Sequence, residues 1–159
     1  MKYLIILLFI LLPIKSVAQH NIHLNVGISK GIVYREQFNK FASLGYSYDF
    51  TRVSLKGEVG GWLDFQPGHS HSAFASTSFG FKAVSDLGLF AEIFFGPAVI
   101  THPDAVLGSH PQLQFQLGGG IQTKYVELLL IYKHFSNAGI FSGPNLGRDW
   151  GCVGVRWRL

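Results

Sequence analysis

The chain has 159 residues and a formal net charge of +4; 48% of it is hydrophobic and only 14% charged. That length holds one domain, and the modest positive charge forms no basic stripe of the kind a nucleic-acid surface needs. A single cysteine, Cys152, excludes an intramolecular disulfide; alternating with small and basic residues, it reads as a packed thiol rather than a nucleophile.

The first segment is a secretory signal by composition. Lys2 supplies the positive start, Tyr3 to Leu12 the apolar core, and Ser16-Val17-Ala18 a small-residue cleavage site before Gln19. The apolar run is too short for a membrane-spanning helix, and Pro13 and Lys15 close it. Residues 1–18 are therefore expected to be removed, leaving 19–159 as the exported domain.

From there on, apolar and polar residues alternate with the period of two that marks β-strands. Ile22, Leu24, Val26 and Ile28 alternate with His23, Asn25, Gly27 and Ser29. A second run carries Leu44, Tyr46, Tyr48 and Phe50, and a third Val53, Leu55, Val59 and Leu63 against Ser54, Lys56, Glu58 and Asp64. The fourth, Ala73 to Ala83, is less regular, with Thr77, Phe79 and Phe81 on one side. The fifth stripe is Leu87, Leu89, Ala91, Ile93 and Phe95, opposite Glu92. In the sixth, Leu113, Phe115, Leu117, Gly119 and Ile121 interleave with glutamines and glycines. The seventh runs Val126, Leu128, Leu130, Tyr132, His134, Ser136, with Glu127 and Lys133 on the reverse face. The eighth follows Asp149 through Gly151, Val153, Val155, Trp157 and Leu159, with Arg156 and Arg158 facing the other way.

Eight alternating runs of about ten residues in an exported chain fit the smallest transmembrane β-barrel. The connections agree. Short turns at Asp49-Phe50-Thr51-Arg52, Ser85-Asp86-Leu87-Gly88 and Thr123-Lys124-Tyr125 alternate with longer segments at Lys30–Lys40, Phe65–Ser72, Thr101–Pro111 and Ile140–Arg148. A soluble barrel of the lipocalin type would place its apolar face inside. Here one face carries charges of both signs and glutamines, which suits a plugged polar lumen, and the other carries aliphatic and aromatic side chains, which suits lipid. Lys30, Arg35, Lys40 and Arg148 fall in or near the long loops, within reach of anionic head groups.

One stretch carries chemistry. Tyr132-Lys133-His134-Phe135-Ser136-Asn137-Ala138-Gly139 precedes Gly143-Pro144-Asn145-Leu146-Gly147-Arg148-Asp149. In a strand, His134 and Ser136 share a face with Cα atoms roughly 6.5–7 Å apart. On the next antiparallel strand, Asp149 returns opposite or diagonal to His134. Serine nucleophile, histidine base and orienting acid are the parts of a triad. Run seven ends at the outer rim, about 25 Å beyond the preceding turn, so the three groups face the outer leaflet at interface depth. A polar cluster on a lipid face is costly unless it has a function, and the substrate at hand there is a lipid.

His134-Phe135-Ser136-Asn137-Ala138-Gly139, followed by Pro144-Asn145-Leu146-Gly147 and an acid, resembles the PagL family of outer-membrane lipid A deacylases. The resemblance covers about twenty residues near the C-terminus. It implies an eight-stranded barrel in the outer membrane of a Gram-negative bacterium, with a Ser-His-acid triad on its outer wall. The implied reaction is hydrolysis of the 3-O-linked acyl chain of lipid A in lipopolysaccharide, without metal or cofactor. Ser136 would be the nucleophile, His134 the base and Asp149 the orienting acid, with Asn137, Gly139 and Asn145 shaping the oxyanion site. Two features depart from the family pattern. Asp149 stands where Glu is usual, after a one-residue insertion around Ser142-Gly143, and the chain ends in Leu159 rather than an aromatic residue.

Other readings of the same residues remain at this level. His69, His71, His102 and His110 lie in long loops, and His69-Ser70-His71 would put two metal ligands on one side. An adhesin-like or structural barrel, a weakly active lipid A-binding relative, and an esterase of another acyl lipid share the architecture. Oligomeric state is open, with a homodimer as one arrangement.

Overall fold

A computed structural model describes residues 18–30, 38–64, 71–103, 106–140 and 145–159. Residues 1–17 of the expected signal segment lie outside the described residues, as do Arg35, His69 and Ser142-Gly143-Pro144. The described chain is all-β: β1 (Gln19–Lys30), β2 (Phe38–Phe50), β3 (Val53–Asp64), β4 (Ser72–Val84), β5 (Leu89–Ile100), β6 (Pro111–Gln122), β7 (Val126–Ser136) and β8 (Arg148–Arg158). Each strand pairs antiparallel with the next, and β8 closes on β1 to complete an eight-stranded barrel. Closure leaves no unpaired sheet edge, which is the condition for β-structure to cross a bilayer.

Alternation decides the two faces. Ile22, Leu24, Val26 and Ile28 of β1 are exposed on the outside, while Asn21, His23 and Asn25 are buried inside. The same inversion runs round the barrel, from Leu44 and Tyr46 to Leu128 and Leu130. An apolar wall facing outward is stable only against hydrocarbon. Two boundaries differ from the reading of the sequence. Leu87 lies in the β4–β5 turn rather than in a strand, and β2 begins at Phe38, because ladder pairing continues to Lys30↔Phe38 inside the expected loop.

The lumen is filled in two layers. Towards the long connections, Phe41, Trp62, Phe74, Phe135 and Trp150 pack ring on ring, with Leu107 of the β5–β6 connection fully buried in the same cluster. The charges and glutamines suggest a polar lumen, but these aromatic side chains, of which Phe135 and Trp150 share the inward parity of Lys133 and Arg148, fill its upper part. Below them runs an ionic network. Glu58 pairs with Lys133 and with Lys56 (2.9 Å), and Lys56 donates to Gln116 (2.7 Å). Arg156 bridges Glu92 and Glu127, both at 2.7 Å, and donates to His23. Lys82 completes the chain through Glu127 (2.5 Å). Each charge of this network thus meets an opposite one, without which its desolvation would be prohibitive.

Candidate active site on the barrel wall

His134 of β7 and Asp149 of β8 are direct cross-strand partners, so their side chains leave the same wall of the barrel at adjacent points. Each is fixed from behind by its inward neighbour. Phe135 and Trp150 are buried in the aromatic layer and meet edge to face, their centroids 5.5 Å apart. On the outer side, His134 Nδ1 lies 2.7 Å from Asp149 Oδ1. An ionised carboxylate only accepts, so this nitrogen carries the proton and Nε2 is left as the basic atom. Both side chains are about a third exposed, enough for a substrate to reach them from the lipid side.

A second donor reaches the same oxygen. Tyr132, one outward position before His134, donates its hydroxyl to Asp149 Oδ1 at 2.5 Å. Its ring leans on Phe115 of β6, centroids 6.5 Å apart, and the residue opposite it on β8 is Gly151.

Ser136 closes β7 opposite Leu113, on the face of His134 and half-buried. Among the described residues no hydrogen bond joins its Oγ to the imidazole. In free enzymes such bonds often tighten only when substrate is present. Beyond Ser136 the chain turns through two left-handed residues, Ala138 (φ 51°) and Gly139 (φ 70°). Asn137 holds that turn from inside. It is fully buried, its carboxamide oxygen accepts from Gly139 N–H (2.9 Å), and its carbonyl accepts from Ile140 N–H (3.0 Å). Its Nδ2 points to the Leu107 carbonyl at 3.5 Å, away from the wall. Asn137 N–H donates to Asn145 Oδ1 at 2.9 Å, which brings the exposed Asn145 beside the end of β7. Leu146 N–H donates to the Val106 carbonyl (3.0 Å), tying the β7–β8 connection to the β5–β6 connection.

Of the residues singled out in the sequence, His134 and Asp149 are in contact, Ser136 follows two residues on with the same parity as His134, and Asn145 is tied to Asn137. Gly139 N–H is engaged by the Asn137 carboxamide oxygen, and Asn137 itself is buried behind the wall. Two contributors escaped the sequence reading. One is Tyr132, whose parity and position before His134 were the available signal. The other is Gly147, at φ 70°, whose backbone lies against the His134 ring. Among the described residues no three potential metal ligands gather; His102 contacts Thr101 Oγ1 (3.0 Å) and His110 the Ile100 carbonyl (2.9 Å).

These features define a transmembrane-type β-barrel bearing a hydrogen-bonded histidine–carboxylate pair and a serine on its lipid-facing wall. The chain belongs to the lipid A 3-O-deacylase (PagL) family, whose model matches residues 22–158. It is thereby placed among enzymes that hydrolyse acyl esters of lipid A. Solved structures with the same fold include the outer-membrane enzyme PagL, at 18% identity and TM-score 0.64 over 86% of this chain and 97% of that one. A designed transmembrane β-barrel matches at 11% identity and TM-score 0.62, over 92% of this chain and 100% of its own. Neisserial surface protein A matches at 9% and 0.59, over 89% and 97%. No curated protein matches the chain.

Proposed function

We propose that this protein is an outer-membrane serine esterase that removes the 3-O-linked hydroxyacyl chain from lipid A in the outer leaflet. The observation that carries the reading is the His134–Asp149 hydrogen bond on an apolar wall, two residues from Ser136 and at the end of the barrel bearing the long connections. In the reaction, Ser136 Oγ attacks the ester carbonyl while His134 Nε2 takes its proton. Asp149 holds the imidazole in the required tautomer and stabilises the cation that forms. The tetrahedral oxyanion is met by the Asn145 amide, whose oxygen is already engaged by Asn137 N–H and whose NH2 is the donor the wall offers. The sugar oxygen departs with the proton from His134, leaving an acyl-serine. Water, deprotonated by the same histidine, then releases the fatty acid and restores Ser136.

The substrate chain has a track beside the site. Val26, Ile28, Leu130, Tyr132 and Val153 border an apolar groove over Gly151. Hydrocarbon lying there exchanges one apolar contact for another while its ester is held at the rim.

Mass spectrometry of lipid A from outer membranes carrying wild-type protein or Ser136→Ala tests the proposal. Loss of one ester-linked hydroxyacyl chain with wild type alone is the expected result. Unchanged lipid A with both, the protein being folded in the membrane, would favour a non-enzymatic barrel or another ester. Loss with both would remove Ser136 from the mechanism.

A further inference from the structure

The reaction as written makes no use of Tyr132, yet its hydroxyl is bonded to the acid of the site. Asp149 Oδ1 accepts from two donors, His134 Nδ1 at 2.7 Å and Tyr132 OH at 2.5 Å. The two come from successive outward positions of the same strand, so together they set the carboxylate along the strand as well as across it. An aspartate held by one bond keeps its broad torsion about the last bond, because the terminal carboxylate rotation has no sharp minimum. It can then present either oxygen to the ring, or neither. The Tyr132 ring is itself held, against Phe115 of β6, and Gly151 opposite brings no side chain to compete for the carboxylate.

We propose that Tyr132 is a positioning residue: through Asp149 it fixes the orientation and tautomer of His134, and so supports a short acid where proton transfer requires a defined imidazole. The inference rests on the esterase reading for its kinetic consequence, but its structural part is independent of it. The hydroxyl acts on the carboxylate, and among the described residues no hydrogen bond joins it to Ser136.

The test is Tyr132→Phe, which removes one oxygen from the wall and leaves the ring against Phe115. Turnover of lipid A in detergent micelles is expected to fall on the order of tenfold, the effect of one hydrogen bond to a charged group, with KM unchanged. In protein labelled with 15N-histidine, assigned against His134→Gln, the His134 signals of wild type should show a single tautomer protonated at Nδ1; in Tyr132→Phe they should move towards a mixture. Wild-type kcat, a change confined to KM, or a fall in kcat with unchanged His134 signals would each overturn the proposal. If wild type releases no acyl chain at all, the esterase reading fails, and the nitrogen signals alone decide the role of Tyr132.

Discussion

Gly147 lies on the imidazole of His134. A β-carbon at this position would stand 2.6 Å from His134 Cε1 and 3.3 Å from Nε2, in a backbone at φ 70° that side chains other than glycine rarely adopt. Gly147→Ala therefore displaces the ring or the connection that passes it. The expected outcome is a barrel that still folds, with its deacylase turnover down by at least about tenfold, since a misplacement of roughly 1 Å can cost a hundredfold. Comparing turnover with circular dichroism of the same preparation checks it, and full activity would mean that the imidazole has room to move.

The acid can be tested without altering its size. Asp149→Asn keeps the shape but lets the carboxamide NH2 face the ring, which favours the wrong tautomer. Turnover should fall about 10⁴-fold if the triad operates as proposed. A fall of only a few-fold, measured as fatty acid released per minute, would show that Asp149 is a structural partner of His134.

Asn145 and Asn137 are expected to separate in their effects. Asn145→Ala removes the proposed oxyanion donor and should lower kcat by about 10²–10³ with little change in KM. Asn137→Ala removes a fully buried amide that holds the turn after β7, so its effect should appear as faster hydrogen exchange at Gly139 and Ile140. Equal kinetic losses without a difference in exchange would contradict this division.

The lumen gives a stability prediction independent of the wall. Arg156→Met leaves Glu92 and Glu127 without the guanidinium they share. Removing one partner of a buried ionic group costs about 3–5 kcal/mol, read as a lower urea midpoint in lipid vesicles. Deacylation by the folded fraction should be unchanged, because the network faces away from His134.

Much of this was legible in the sequence because a strand has only two faces. The glutamines between Leu113, Phe115 and Leu117 reveal the barrel, since Gln112, Gln114 and Gln116 are all buried inside. Parity also put His134, Ser136 and Asp149 on one wall, and the register makes the first and last directly opposed. What parity cannot supply is the identity of neighbours across strands and loops. The bond from Tyr132 to Asp149 depends on where β8 falls against β7. Leu107 belongs to a long polar-looking connection, yet it is buried because that connection folds over the aromatic layer. Asn137 has the residue type of an oxyanion donor but turns inward, since Leu107 presents a carbonyl to it.

The plugged interior has a consequence for traffic. With aromatic rings stacked above a continuous ionic lattice, the described residues fill the barrel, and the proposed reaction belongs to its circumference. In that reaction substrate would arrive, and the released fatty acid and shortened lipid would depart, by sideways diffusion within one leaflet. The protein works as a post in the membrane rather than a pore, and at high turnover its pace would be set by how quickly neighbouring lipids change places at that one stretch of wall.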